Sequence, residues 1–331
     1  MKYNYKLDFK LNQYQANSSK LLLKYVMQNE NVLLDAVCGA GKTEVLLETI
    51  KVCLNKKMKI GFACPRKALL IELYTRIKDV FNSEDFGLIY GGYQYKANAQ
   101  LVFLTTHQLS KYNNEFDILI IDEIDAFPYI DNFKLEKAAS NSSKQFIYLS
   151  ATVPAKYYKM NLKILKIYHR HHLKVMPVPK ILKSHKSRYI LLIYKIIKIH
   201  KHDPMIIYVP TKKTGKKINT LLKIIKQKTA YIDSSSNITK IINEFKNKKY
   251  NIIVTTTVLE RGITLKDVNV IIYDANAKVF NEKVLIQICG RVGRHFEKTT
   301  GEIYYLCNDI NDDIYNSIKK IKEINYKITS L

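Results

Sequence analysis

A glycine-rich segment near the start of the chain has the residue types of a phosphate-binding loop. Residues 36–43 read Ala-Val-Cys-Gly-Ala-Gly-Lys-Thr, with Ala36 where the usual pattern has its first glycine. Glycines let backbone N–H groups approach phosphate oxygens, a lysine can reach the β- and γ-phosphates, and a threonine hydroxyl can ligate Mg²⁺. The ATP-binding residues predicted from this segment are Gly39, Ala40, Gly41, Lys42 and Thr43.

An acidic turn follows the apolar residues 118–121. Asp122, at the tip of this predicted strand, can hold Mg²⁺ through water, and Glu123 can polarise the attacking water as a general base. Acidic turns after strands are common, so the turn is specific only in combination with the phosphate-binding segment. Together the two segments predict hydrolysis of ATP with Mg²⁺ as cofactor.

A third segment, residues 287–294, reads Gln-Ile-Cys-Gly-Arg-Val-Gly-Arg. Arg291 and Arg294 are three residues apart and share one face if the segment is helical, with Gln287 one turn before Arg291. Arginine is scarce, at 7 of the 54 basic residues, so an arginine at a motif position suggests a need for the planar guanidinium. We predict that these three residues are catalytic and form an arginine-finger segment, which requires a second domain.

Other segments that follow predicted strands supply candidate contacts. Ser150 and Thr152 carry hydroxyls that could couple the Mg²⁺ site to a domain interface, and Gly262 permits a close approach to nucleotide. Gln15 could read adenine with its side-chain amide. Candidate contacts to a nucleic-acid backbone are the polar residues Arg66, Thr105, Thr106, Thr256 and Thr257.

The net charge indicates the class of partner, and the cysteines indicate the cellular compartment. The formal net charge of +25 at pH 7 indicates a polyanionic partner, either a nucleic acid or an anionic membrane surface. A lysine-rich surface without such a partner is the simpler alternative. The five cysteines form no Cys-x-x-Cys pair, so we expect no zinc, and scattered thiols favour a reducing cytoplasm. The N-terminus lacks the apolar core of a signal peptide, and the apolar residues 189–199 are too few to span a membrane.

Short apolar runs alternate with helix-length segments, a pattern typical of parallel sheets flanked by helices. The predicted strands are residues 31–37, 59–63, 101–105, 117–121, 145–149, 205–209, 251–255, 268–273 and 302–306. The predicted helices are residues 43–54, 67–80 and 312–331. Each motif follows a predicted strand, and the loops at the carboxyl ends of such strands form ligand sites.

The fold class is therefore predicted as α/β, with two tandem domains of parallel sheets flanked by helices at residues 1–165 and 186–331 and a linker at residues 166–185. Within the linker, residues 169–179 are rich in histidine and proline. Three neighbouring histidines could suggest a metal site, but no cysteine or carboxylate is near them in the sequence, so we interpret the stretch as a hinge.

Along nearly its whole length the chain resembles superfamily 2 helicases, and more closely the ComFA family of late-competence DNA-uptake ATPases. The matching stretches are residues 36–44, 63–73 (ACPRKALLIEL), 105–109 (TTHQL), 122–128 (DEIDAFP), 149–152 (LSAT), 255–264 (TTTVLERGIT) and 287–294. The stretches DEIDAFP and TTTVLERG are more specific than general helicase motifs. The His/Pro-rich residues 168–179 are also similar to a stretch of that family.

The resemblance implies a cytoplasmic, ATP-driven motor that acts on single-stranded DNA during transformation. It implies that the protein works beside the membrane channel ComEC and the partner ComFC. Any association with the membrane would then be peripheral and through these partners. It also implies that both domains are RecA-like. ATP and Mg²⁺ chemistry, completion of that site from the second domain, and coupling of hydrolysis to movement by the motif residues named above are implied as well. Members of the family usually carry a four-cysteine zinc module before the first motor domain. This sequence has no cysteine before residue 38, so zinc-dependent features are not carried over.

Three alternatives remain open. A restart-type DNA helicase or an RNA helicase would contain the same motor, and assays of strand separation and RNA stimulation would distinguish them. A non-catalytic nucleic-acid clamp could use ATP as a switch, although Glu123, Arg291 and Arg294 argue for catalysis. A protein bound to anionic lipid would also account for the charge, but the sequence shows no amphipathic anchor or lipidation signal.

Overall fold

The computed structural model describes residues 2–170, 175–201, 203–259, 268–293 and 301–329. The chain divides into two compact units, Met1–Leu173 and Lys174–Leu331. The exact domain boundaries expected from the sequence, residues 165 and 186, stay a prediction.

The first unit contains an eight-stranded sheet. Its strands are β1 (Val32–Ala36), β2 (Ile60–Cys64), β3 (Gly87–Tyr90), β4 (Tyr93–Tyr95), β5 (Leu101–Thr105), β6 (Phe116–Ile121), β7 (Ser143–Ser150) and β8 (Lys163–Ile167). Their order in the sheet is β4-β3-β5-β2-β6-β7-β1-β8. All neighbouring pairs are parallel except β3 and β4. The carboxyl ends of the parallel strands therefore lie at one edge of the sheet, called the carboxyl edge below.

Helices flank this sheet. They are α1 (Gln13–Met27), α2 (Lys42–Asn55), α3 (Lys67–Phe81), α4 (Phe133–Ser142) and α5 (Ala155–Tyr158). Helix α3 shows how the sequence positions a helix against the sheet. Its buried residues Leu70, Leu73, Ile77 and Phe81 recur every three or four positions and so form one apolar face. Every residue of β2 and β5 is buried, as expected for central strands covered on both faces.

The second unit has a similar architecture. Its strands are β9 (Lys180–Lys183), β10 (Met205–Tyr208), β11 (Thr229–Ile232), β12 (Ile252–Thr255), β13 (Asn269–Tyr273) and β14 (Ile303–Cys307). They form a sheet of order β11-β12-β10-β13-β14-β9 with parallel neighbours. Its helices are α6 (Tyr189–Ile199), α7 (Lys212–Ile224), α8 (Ile238–Lys246), α9 (Glu282–Cys289) and α10 (Asp312–Thr329). In the described part of the chain, no helix combines the length and apolarity needed to cross a bilayer.

The predicted α/β class with parallel sheets flanked by helices is confirmed. Each predicted strand and helix is present, with ends displaced by two residues or fewer. Strands β3, β4, β8, β9 and β11 were not predicted. The stretch interpreted as a linker, residues 166–185, is a strand at two places, because it contains the end of β8 and all of β9. Lysines flank apolar runs of only two residues in these strands, so neither strand contains an apolar run long enough to be recognised in the sequence.

Candidate functional site

The phosphate-binding segment forms the turn between β1 and α2. Gly39 and Gly41 have φ angles of 83° and 78°, a left-handed conformation that glycine adopts without strain. A Cβ atom at Gly41 would collide with the side-chain amide of Gln15. The sequence therefore needs glycine at position 41 for two independent reasons, backbone conformation and space.

The amino-terminal end of α2 suits a phosphate group. Gly41 is the N-cap residue, and no side chain caps the helix, so the first N–H groups of α2 are not bonded by a side-chain cap. Such a helix end attracts anions through these groups and through the helix dipole. Lys42 begins the helix, and Thr43 is buried. The residues present thus fit the β- and γ-phosphates of a nucleotide.

Gln15 connects the start of α1 to this loop. Its Nε2 donates to the carbonyl of Ala40 over 2.8 Å, and its Oε1 accepts from the backbone N–H of Asn12 over 3.0 Å. Asn12 Oδ1 in turn accepts from the backbone N–H of Gln15 over 2.9 Å, which completes a capping box. The structure thus gives both ends of the amide a role in positioning the loop, and adenine reading by Gln15 stays a prediction. The spacing Asn-x-x-Gln in the sequence is typical of such a cap and could have predicted it.

The acidic turn lies at the same carboxyl edge, after β6. The backbone N–H of Asp122 donates to the carbonyl of Ala63 over 2.9 Å, and Asp122 Oδ1 accepts from the backbone N–H of Glu123 over 2.9 Å. Glu123 has a φ of 54°, a left-handed conformation that is strained for a non-glycine residue and is common at functional sites. Arg66 Nε lies 3.9 Å from the Glu123 carboxylate.

Carboxylate charge also affects the neighbouring strand β2. Burial raises the pKa of the Cys64 thiol well above its ordinary value, and the nearby charges of Glu123 and Asp122 raise it further. The thiol therefore stays protonated at neutral pH and is not an activated nucleophile.

Asp125 joins the acidic turn to the residues after β7. Its Oδ1 accepts from Ser150 Oγ over 2.7 Å, and its Oδ2 accepts from Thr152 Oγ1 over 2.5 Å. The backbone N–H of Thr152 donates to Ser150 Oγ over 2.9 Å. Ser150 and Thr152 are thus tied to the turn that carries Asp122 and Glu123. No role for Asp125 could be predicted from the sequence, because its partners Ser150 and Thr152 are distant in the chain.

Thr43 has a hydrogen-bond partner, Arg76, that the sequence did not predict. Its hydroxyl accepts a hydrogen bond from Arg76 of α3, and the Arg76 guanidinium lies 3.8 Å from the Glu44 carboxylate. Arg76 Nε is buried and has no hydrogen-bond partner among the described residues. The scarcity of arginine was the available signal for this residue.

The candidate nucleic-acid contacts differ in exposure. Thr105 ends β5 and Thr106 follows it, and both residues are buried, which disfavours direct contact with a bound strand. Arg66 is half-buried, as are Thr256 and Thr257 after β12. Of the three candidates in the first unit, only Arg66 therefore offers its side chain to a ligand.

The arginine-finger segment lies in the second unit. Gln287 is buried within α9, and this helix ends at Cys289, before Arg291. The condition for a shared helix face is not met at Arg291, because residues 291–293 form a turn in which Gly293 has a φ of 63°. The catalytic roles of these residues stay a prediction. Arg294 and Gly262 lie outside the described residues.

In the described ranges, no cluster of three or more His, Cys, Asp or Glu side chains could hold a metal ion. The expectation of no zinc stays a prediction.

Comparison with known proteins identifies the class of enzyme. The family model of the type III restriction enzyme res subunit matches residues 8–155, and that of the helicase conserved C-terminal domain matches residues 188–296. Competence protein ComFA of Bacillus subtilis (strain 168) is 32% identical over 336 residues, covering 96% of this chain and 73% of that protein. ComFA of Streptococcus pneumoniae is 32% identical over 334 residues, covering 95% and 77%.

Solved structures share the fold. Saccharomyces cerevisiae Dbp5 bound to RNA and ADP BeF3 matches with a TM-score of 0.70 at 18% identity, covering 95% of this chain and 92% of that chain. A DEAD box protein from the hyperthermophile Methanococcus jannaschii matches with a TM-score of 0.53 at 19% identity, covering 98% of each chain. At these identities the match shows only the fold, two RecA-like domains.

The family models and relatives show an ATP-hydrolysing enzyme of the helicase and translocase class. The two ComFA relatives align with nearly the whole chain, and the chain covers more than two thirds of each of them. The chain belongs to the ComFA family of competence proteins.

Proposed function

We propose that this protein is an ATP-driven motor that moves along single-stranded DNA and serves DNA uptake during transformation. The observation that carries the motor part is the meeting of the phosphate loop, the acidic turn and Asp125 at one carboxyl edge. The competence part rests on the relatives, which are competence proteins.

The first unit supplies the residues that would hold ATP and Mg²⁺. Bound Mg²⁺–ATP supplies the phosphoanhydride bond that is broken, with its charge partly neutralised. In this proposal Lys42 would bind the β- and γ-phosphates, and Thr43 and Asp122 would hold the Mg²⁺ ion. Glu123 accepts the proton of the water that attacks the γ-phosphorus, and ADP leaves. The left-handed backbone at Glu123 fixes the direction of its side chain for this task.

The remaining motif residues have proposed roles in completing and coupling the reaction. Gln287, Arg291 and Arg294 would stabilise the charge that develops on the transferred phosphate. Ser150, Thr152 and Gly262 would couple hydrolysis to movement. The hydrogen bonds from Ser150 and Thr152 to Asp125 support this part, because they link these hydroxyls to the turn that carries Glu123.

Lysines and backbone N–H groups would bind the DNA strand without reading its sequence. Such binding releases counterions, so we expect the affinity to fall steeply as salt is raised. An affinity that does not change with salt would contradict this mode of binding. We further propose a cytoplasmic location, with ComEC and ComFC as partners at the membrane.

The test is ATP hydrolysis measured with no nucleic acid, single-stranded DNA, duplex DNA or RNA, with Lys42→Ala as the matched control. The proposal predicts strong stimulation by single-stranded DNA that is lost in the variant. Stimulation mainly by RNA would assign the protein to RNA remodelling instead. No hydrolysis under any condition would favour an ATP-switched clamp.

A further inference from the structure

The hairpin formed by β3 and β4 carries exposed tyrosines for which the proposed ATPase chemistry has no use. Tyr90 is in register with Tyr93 across the hairpin. Their rings stack with centroids 4.8 Å apart and an interplanar angle of 13°. Tyr95 follows Tyr93 by two residues and so lies on the same face of the strand. Three tyrosines thus line one face of a two-stranded ribbon.

This ribbon ends at the carboxyl edge, where the candidate site lies. Ile89 is in register with Leu104 of β5, so Tyr90 is level with Thr105 at the end of that strand. Gly91 and Gly92 make the turn, and a Cβ atom at either position would meet no heavy atom of the described residues within 4 Å. The turn is therefore open to a ligand that approaches the carboxyl edge.

The tyrosines are exposed although they are aromatic. Tyr93 is 44% exposed and Tyr95 is 37% exposed, and β4 is the outermost strand of its sheet. Burial would stabilise such rings, so two exposed neighbours on one strand suggest a surface that is covered when a ligand binds.

The charges around the hairpin favour an anionic ligand at its turn. Lys67 Nζ lies 4.2 Å from the centroid of the Tyr90 ring, and within the described ranges Lys67 forms no ion pair. At the far end of the ribbon, Lys96 is paired with Asp85 over 3.1 Å. Positive charge without an acidic partner is thus found at the carboxyl edge, beside the stacked pair.

Aromatic faces beside a lysine are typical of sites that bind single-stranded nucleic acid, because bases stack on the rings while the cation attracts the phosphates. Addition of a peptide strand to the sheet is the main alternative for an edge strand. Strand β4 has only three residues, which offers few backbone hydrogen bonds for such pairing.

We propose that the hairpin of residues 90–95 is a stacking platform for the bases of single-stranded DNA, with Tyr93 as the main stacking side chain and Lys67 as a phosphate contact. This inference rests on the proposed function, since it assigns part of the DNA path to the first unit. Binding at this platform requires bases on the DNA strand, whereas contacts to the sugar-phosphate backbone do not.

The test uses the whole 331-residue chain and a short oligo-dT strand, with an abasic strand of equal length and charge as the second probe. We expect Tyr93→Ala to weaken oligo-dT binding about ten-fold and to leave abasic binding unchanged. Tyr93→Phe should bind like the wild type, because the ring remains. Tyr315→Ala, which removes a tyrosine 61% exposed on α10, is the matched control.

A second readout reports stacking directly. The chain contains no tryptophan, so Tyr93→Trp introduces the only tryptophan at the proposed platform, and its emission can be excited separately from that of the tyrosines. We expect oligo-dT to quench its emission and the abasic strand not to do so. Wild-type binding that equals Tyr93→Ala binding, with no quenching, would overturn the platform alone. Failure of the wild type to bind any single strand would overturn the proposed function and the platform with it.

Discussion

The hydroxyl of Thr43 accepts a hydrogen bond from the guanidinium of Arg76. Thr43 is the residue predicted to ligate Mg²⁺, and Arg76 also lies 3.8 Å from the Glu44 carboxylate. The guanidinium occupies one of the two lone pairs of this hydroxyl oxygen and places a positive charge beside the position that a metal cation would take. The proposed nucleotide site therefore contains its own competing cation.

Replacement of this cation should make Mg²⁺ binding easier. A hydrogen bond to a charged group contributes about 1.5 kcal/mol or more, so we expect Arg76→Gln to lower the half-saturating Mg²⁺ concentration about ten-fold. The measurement is a Mg²⁺ titration of the binding of a fluorescent ATP analogue. Arg188→Gln, at an exposed position of the second unit, is the control. An unchanged or higher Mg²⁺ requirement in Arg76→Gln would show that the arginine does not compete.

Asp125 should contribute to stability as well as to coupling. Its two carboxylate oxygens accept from Ser150 and Thr152, and Ser150 is fully buried. Asp125→Asn removes one acceptor and leaves a buried hydroxyl unpaired, so we expect a loss of about 1–3 kcal/mol in unfolding free energy. Equilibrium unfolding in denaturant measures this change in free energy. Asp131→Asn, at a carboxylate whose side chain is 82% exposed, should change stability by about 0.5 kcal/mol or less. Equal effects of the two substitutions would refute the role assigned to Asp125.

Gly41 should be intolerant of a side chain because of Gln15. Gly41→Ala would place a methyl group against the Gln15 amide at a φ of 78°, and we expect a loss of about 2 kcal/mol or more. Gly92→Ala is the matched control, since its φ is 77° but its surroundings are open, and it should cost about 1 kcal/mol. In a double-mutant cycle, Gln15→Ala should relieve part of the Gly41→Ala cost. If the effects of Gln15→Ala and Gly41→Ala on the unfolding free energy are strictly additive, the two positions are not in contact.

A buried thiol should make the protein less stable in alkaline solution. Burial raises the pKa of Cys53 on α2 from 9.0 to about 12. In the unfolded chain the thiol ionises first, so its contribution is complete below about pH 9 and is lost as pH rises toward 12. We expect the slope of unfolding free energy between pH 9 and 11 to be shallower in Cys53→Ala, by up to about 1.4 kcal/mol per pH unit. Tyrosines titrate in the same range in both proteins, so only the difference reports on Cys53. Parallel curves would contradict the assigned pKa.

Motifs with local chemistry could be predicted from the sequence, whereas the contacts between them could not. The phosphate loop needs glycines next to Lys42, and this pattern is visible in adjacent residues. The roles of Asp125 and Arg76 depend on partners on other strands and helices, Ser150 and Thr43, which become neighbours only when the sheet forms. Such pairings require the strand order β6-β7-β1, which no local pattern specifies.

The strands that escaped prediction share a physical cause. Strand β4 has three residues, and its tyrosines and the neighbouring glycines are also typical of a turn. Strand β9 has lysines at both ends of a two-residue apolar run, too short for periodicity to identify. The aromatic hairpin therefore became visible only when the register of Tyr90 and Tyr93 was known.

ATP-driven movement along a single strand is the central claim, and displacement of streptavidin from the end of a biotinylated DNA strand tests it most directly. The account predicts displacement by the wild type only when ATP is present, and none by Lys42→Ala or Arg294→Ala, both of which should stay folded. Lack of displacement by wild-type protein that hydrolyses ATP on the same strand would contradict the account, as would displacement by either variant.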